Sequence, residues 1–126
     1  MAGSNNLVVD TNIILYAAVN NNAVAIELLA ENNIFISDIT EIELLGYHRL
    51  SEKELTILAE VLSNFTVVPI SGKIKETAIQ LRKSHALKTP DAIIAATAME
   101  LGYLLATADK KLHKIKNLKI IEFGAN

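Results

Sequence analysis

Short apolar runs ending on a polar or acidic residue alternate along this chain with longer stretches of helical periodicity. Leu7-Val8-Val9 leads into Asp10, as a buried central strand leads into a loop, and Thr11 onward carries helix-start residues. The helical pattern then runs to Asn33, with Asn20-Asn21-Asn22 as a break between two helices. Ile34 to Ser37 reads as a second strand. Thr40 to Leu50 and Ser51 to Leu62 are helical in spacing, and Ser51-Glu52-Lys53-Glu54 resembles a capping box. Phe65 to Ile70 is β-branched and reads as a third strand with Pro69 at its end. Ser71 caps a helix to about Ser84; Thr89 as cap and Pro90 at the first helical position start another that stops near Gly102. Tyr103 to Thr107, a short helix from Asp109 and a strand near Lys119 to Phe123 close the series. Such alternation predicts an α/β fold, a three-layer α/β/α sandwich around a mainly parallel sheet of about four to five strands. Residues 1–6 are set aside as a flexible N-terminus or cloning remnant, and residues 7–126 as a single domain.

Composition narrows the class. With 126 residues, 51% of them hydrophobic, the chain suffices for one sizeable core. It has no cysteine, which removes disulfides and thiolate metal sites and, with no charged segment before an apolar run, predicts a cytoplasmic protein. The longest apolar stretch, Ala92 to Ala108, is broken by Glu100 and Gly102 and falls short of the roughly 20 residues of a membrane span, so no membrane partner is expected.

Charge is uneven although the net value is only −2. Residues 1–63 hold 2 Lys/Arg against 9 Asp/Glu and residues 64–126 hold 10 against 5, so the halves carry −7 and +5. The basic half suits a polyanion, and solvated helix faces explain it equally well.

Four acids stand out by position. Asp10, Glu43, Asp91 and Asp109 each fall within about one turn of an expected helix start. In a parallel sheet the crossover helices begin along the edge formed by the strands' carboxyl ends, so the four are expected to converge there. Carboxylates packed together raise one another's pKa unless a cation offsets their charge. Each also has a local explanation: Asp10 and Asp109 as helix caps, Asp91 as a first-turn acid, and Glu43 as the third-position partner of Thr40 in a capping box. Asp38 and Glu41, near the same edge, are assigned to solvent or capping.

Other chemistries find no support. The chain lacks the nucleophile elbow G-x-S-x-G, the phosphate loop G-x-x-x-x-G-K-[ST] despite Ser71-Gly72-Lys73, and the dinucleotide fingerprint G-x-G-x-x-G. His48, His85 and His113 are scattered and form no zinc motif. Oxygen donors of this kind favour Mg²⁺ or Mn²⁺.

In order along the chain, these segments resemble the PIN-domain family, most closely its VapC-type toxin ribonucleases. Val9-Asp10-Thr11-Asn12 resembles the family's opening strand end, and Ile39-Thr40-Glu41-Ile42-Glu43-Leu44-Leu45-Gly46 its Thr-x-x-Glu-Leu segment. Asp91-Ala92-Ile93-Ile94-Ala95-Ala96-Thr97-Ala98 resembles its Asp-Ala-x-Ile-Ala-Ala-x-Ala helix, and Leu105-Ala106-Thr107-Ala108-Asp109 its Thr-x-Asp strand end. The chain departs in having Lys110-Lys111-Leu112 after Asp109, where an aromatic often sits last, and in lacking a glycine before Asp91.

The resemblance implies that Asp10, Glu43, Asp91 and Asp109 ligate Mg²⁺ or Mn²⁺, with Thr107 and Asn12 supporting them. It also selects Glu43 over Glu41 and Asp38, since Glu43 precedes Leu-Leu-Gly. The implied activity is a metal-dependent endoribonuclease leaving 5′-phosphate and 3′-hydroxyl ends, with RNA as substrate, an antitoxin protein as partner and a homodimer as assembly. Arg82, Lys83, Lys110 and Lys111 are the candidates for contact with RNA phosphates. Because aromatics make up only 5% of the chain, base stacking is expected to be secondary. Two alternatives stand beside this reading: a PIN-like scaffold or binding module with little nuclease activity, and a receiver-type phosphotransfer domain. The latter needs paired acids after the first strand, where Asp10 stands alone.

Overall fold

The computed structural model describes residues 5–123. Its strands are β1 (Asn6–Val9), β2 (Asn33–Ser37), β3 (Thr66–Val68), β4 (Leu104–Thr107) and β5 (Ile120–Glu122). Its helices are α1 (Thr11–Ala18), α2 (Ala23–Glu31), α3 (Asp38–Leu45), α4 (Glu52–Leu62), α5 (Gly72–His85) and α6 (Thr89–Leu101), with a 3₁₀ turn at Lys110–Lys114. The strands form one sheet in the order β3-β2-β1-β4-β5. Every pairing is parallel, as in Val8 opposite Phe35 and Val9 opposite Ala106.

Strand periodicity sorts the core into two layers. Leu7 and Val9 pack with Ile13, Ile14 and Leu44 and with Leu58 and Leu62 of α4. Val8 points the other way, into Ile74, Ala78 and Leu81 of α5 and the alanine-rich face of α6. Covering both faces is what lets β1 be apolar at three successive positions, Leu7, Val8 and Val9, all fully buried. Helix α6 is hidden nearly all round, with Ala92, Ile94, Ala95, Ala96 and Ala98 buried; its small side chains let the backbone approach the sheet closely. Among the described residues no single helix is long and apolar enough to cross a membrane.

Most expected elements are present, and the departures have physical causes. Strand β1 starts at Asn6 and the Asn5 carbonyl accepts from the Asn33 N–H at 2.9 Å, so residues 5 and 6 belong to the fold; residues 1–4 of the expected flexible lead lie outside the described residues. Helix α3 begins at Asp38 because the Ser37 hydroxyl accepts from the Ile39 N–H at 3.2 Å. Thr40 is therefore a buried helical residue, not a cap, and Glu43 lies beyond the first turn, so the capping-box account of Glu43 fails. The same helix stops at Leu45, well short of Leu50. The expected box at Ser51 and Glu54 is formed, with both hydrogen bonds present at 3.1 and 2.9 Å. Strand β3 ends at Val68, since Pro69 has no N–H to extend the ladder. Helix α6 includes Thr89 and leaves Lys88 at the cap without a side-chain bond; proline fits any first-turn position, so Pro90 alone did not fix the start.

Candidate functional site

From β1 the chain moves outward to β2 and β3, whereas from β4 it moves the opposite way to β5. Neighbouring strands whose connections diverge leave a crevice beyond their carboxyl ends. Asp10 follows β1 and Asp109 follows β4 by two residues, so both acids border that crevice. The Asp10 N–H donates to the Ala106 carbonyl at 3.0 Å and carries the ladder to the crevice rim.

Asp10 stands at the cap of α1, yet its side chain makes no capping hydrogen bond. It is only 8% exposed, and its Oδ2 accepts from the Thr107 hydroxyl at 2.7 Å. That hydroxyl also accepts from the Asp109 N–H at 3.0 Å, so Thr107 orients two acids at once. Asp109 does act as a cap, its Oδ1 accepting from the Lys111 N–H at 2.9 Å. The Thr11 hydroxyl lies 2.9 Å from Glu43 Oε1 and 3.1 Å from Thr40 Oγ1. Having one hydrogen, it satisfies both contacts by donating to the carboxylate and accepting from Thr40. Asp91, in the first turn of α6, is partly exposed.

Asp10 and Asp91 feel their acidic neighbours. Burial pushes the Asp10 carboxyl above its ordinary pKa; Thr107 and the Thr11 backbone pull against that, and the charges of Asp109 and Glu43 add to it. Asp91 is also raised, by burial and then by Asp10 and Asp109, with Lys111 and Lys88 giving partial relief. A cavity of about 440 Å³ opens here, lined by Asp10, Thr11, Asn12, Glu43 and Asp91 among others. Its anionic charge would be relieved by a cation, and its carboxylate oxygens suit a hard divalent ion such as Mg²⁺ or Mn²⁺. By donor type the residues fit such an ion. Among the described residues, however, no three Asp, Glu or His side chains are set to hold one ion together, so the donors surround a cleft without forming a closed shell.

The other expected residues divide. Thr107 is hydrogen-bonded to Asp10, and Asn12 is exposed on the cleft wall. Asp38 and Glu41 line neither the acid cleft nor the adjoining basic pocket. Lys111 lines that pocket beside Asp91, whereas Lys110 and Lys83 are exposed outside it and the Arg82 Nε donates to the Leu87 carbonyl at 3.1 Å. Sequence reasoning missed the Thr11–Thr40 hydroxyl pair, Tyr47 and His48 on the cleft wall, and Lys88 and Lys114 in the pocket. Thr11 adjoins Asp10 and was open to notice; the others depend on tertiary placement. A larger cavity of about 610 Å³ lies elsewhere, lined by Ile26, Leu29, Phe35 and Phe65, and it touches none of the four acids.

The family model described as PIN domain matches residues 7–118. The chain belongs to the PIN domain family. Solved structures similar to this PIN domain include a chain of VapBC2 from Rickettsia felis bound to a promoter DNA fragment, with 23% identity, TM-score 0.82, and coverage of 94% of this chain and 99% of that one. A chain of a toxin-antitoxin complex from Klebsiella pneumoniae is similar at 29% identity and TM-score 0.76, covering 91% and 95% of the two chains. A chain of FitAcB from Neisseria gonorrhoeae matches at 24% identity and TM-score 0.72, with 92% and 96% covered. Among curated proteins no match was found.

Proposed function

We propose that this PIN domain is a divalent-metal-dependent endoribonuclease of the cytoplasm, acting as the toxin of a type II toxin–antitoxin pair. The observation that carries the reading is placement: Asp10, Glu43 and Asp91 line one cavity at the β1–β4 crevice, and Thr107 ties the Asp109 backbone to Asp10 beside it. A bound Mg²⁺ or Mn²⁺ supplies Lewis-acid activation of water and neutralises charge on the phosphodiester and its leaving 3′ oxygen.

The chain's own contribution is placement. Thr107 holds Asp10 in one orientation by a buried hydrogen bond, and Thr11 holds Glu43 by a partly buried one. Fixed donors lower the reorganisation needed when cation and substrate arrive. Asp91 keeps part of its surface open to the cleft, where a phosphate can reach it. The side-chain partners of Asp10 and Glu43 are hydroxyls, those of Thr107 and Thr11, while His48 stands on the wall of the same cleft.

An antitoxin partner is part of the proposal, supported by neighbours that are themselves toxin–antitoxin complexes. A homodimer is proposed with it and is read by light scattering. The open spacing of the acids favours one other reading, a PIN scaffold that binds without cutting. Incubating purified protein with RNA and Mn²⁺, beside an Asp10→Asn variant, separates the two. Cleavage confined to the unaltered chain, leaving 5′-phosphate ends, supports the nuclease; equal product from both removes the proposed site.

A further inference from the structure

Asp91 lines two cavities of opposite character. On one side is the acid cleft, whose outer wall is built by Ile42, Gly46, Tyr47 and His48. On the other is a pocket of about 220 Å³ lined by His85, Lys88, Lys111 and Lys114 with the backbone turn of Ala86 and Leu87. Any chain-like ligand lying over Asp91 reaches into both.

Tyr47 is 42% exposed, belongs to neither core layer, and meets the His48 ring edge-on with centroids 5.9 Å apart. Its place is set by Gly46, where a Cβ would stand 2.7 Å from the Ile42 carbonyl oxygen, so only glycine lets α3 end there and turn outward. An exposed ring that the core does not use, held beside the proposed nuclease cleft, has the form of a stacking surface for an unpaired base.

The second pocket is built for an anion. Ala86 takes the left-handed conformation, φ 54°, and this ends α5 so that His85 and Lys88 face a common space. The His85 Nδ1 is buried with no hydrogen-bond partner. Three lysines against the single Asp91 carboxylate give this small space a net positive lining that suits one phosphate group.

We infer that single-stranded RNA crosses Asp91 between two positioning subsites, a base stacked on Tyr47 and His48 at one end and a backbone phosphate seated among His85, Lys88, Lys111 and Lys114 at the other. The inference rests on the proposed nuclease activity and adds how its substrate is held. It reverses the expectation that stacking is secondary, and it moves the phosphate contact from Arg82, Lys83 and Lys110 to Lys88 and Lys114.

The test uses the full chain, Mn²⁺ and short fluorescent single-stranded RNA, carrying an abasic nucleotide or a neutral methylphosphonate at each position in turn. Tyr47→Leu raises KM about tenfold with kcat changed by less than about twofold, Tyr47→Phe restores KM, and the Leu variant no longer responds to one particular abasic position. Lys88→Gln with Lys114→Gln flattens the slope of log KM against log salt by about 0.7 and abolishes the response to one particular methylphosphonate. If both variants leave KM, salt slope and analogue response unchanged, or shift all three alike, the two subsites are refuted while the nuclease stands. If the unaltered protein cuts no RNA, the nuclease reading fails separately, and anisotropy of the same RNAs on Asp10→Asn decides the subsites. Weakened binding by the Tyr47 and lysine variants keeps them; no binding, or equal binding, removes them.

Discussion

The Thr107 hydroxyl donates to Asp10 Oδ2 at 2.7 Å, a buried hydrogen bond that joins the ends of β4 and β1 across 97 positions of sequence. The same oxygen accepts the Asp109 N–H. Thr107→Val keeps the shape and removes both contacts, taking the side-chain donor from the buried Asp10 carboxylate and the hydroxyl acceptor from the Asp109 amide. Urea unfolding of the metal-free protein is expected to show a loss of about 1–3 kcal/mol, and Thr107→Ser to recover most of it. Metal affinity, read by calorimetry, falls by about 10- to 100-fold in the valine variant.

The raised carboxyls of Asp10 and Asp91 predict a pH dependence of definite sign. Between the ordinary carboxylate value and the raised ones, the folded protein holds more protons than the unfolded chain, so this contribution to stability falls as pH rises. It is fully present below the ordinary value and lost as pH passes through the raised values. Thermal melts in EDTA across that window should show the advantage of Asp10→Asn over the unaltered chain growing with pH, and Mn²⁺ shrinking it. An advantage independent of pH contradicts the prediction.

Gly46→Ala sets a methyl group 2.7 Å from a backbone oxygen that has no rotamer by which to move aside. The expected cost is about 1–3 kcal/mol in chemical denaturation, as for an overpacked site. Since the strain falls on the turn carrying Tyr47, RNA affinity should drop with it, whereas Gly72→Ala, where a Cβ meets nothing within 4 Å, should leave both unchanged.

Asp91→Asn separates function from folding. Removing one of several mutually repelling charges should raise the melting temperature of the metal-free protein. Loss of a cation donor, with several kcal/mol of charge stabilisation at stake, should cut Mn²⁺-dependent cleavage by about a thousandfold. A variant that is both less stable and equally active overturns that account.

Much of this was legible because strands and acids are coupled locally. Leu7-Val8-Val9-Asp10 states both a buried strand and its functional end, and the Ala-rich segment after Asp91 states a buried helix next to it. Where local signals overlapped they misled. Ser37 and Thr40 are both good caps, and the structure uses Ser37, which carried Glu43 past the first turn and left Thr11, not a capping amide, as its partner. The lysines show the other limit. Ten basic residues in the second half look alike in sequence, and only the left-handed turn at Ala86 distinguishes Lys88 as pocket-lining and Lys83 as solvent-facing. Tyr47 likewise gave no periodic signal, because its role depends on where α3 stops.

The central claim is that Asp10, Glu43, Asp91 and Asp109 make the β1–β4 crevice a divalent-cation site. Calorimetric titration of Mn²⁺ into the unaltered protein and into Asp10→Asn, each with uncleavable RNA present, tests it most directly. The account predicts saturable binding to the unaltered chain, weakened at least about tenfold in the variant. Equal binding by the two, or none by either, would contradict it.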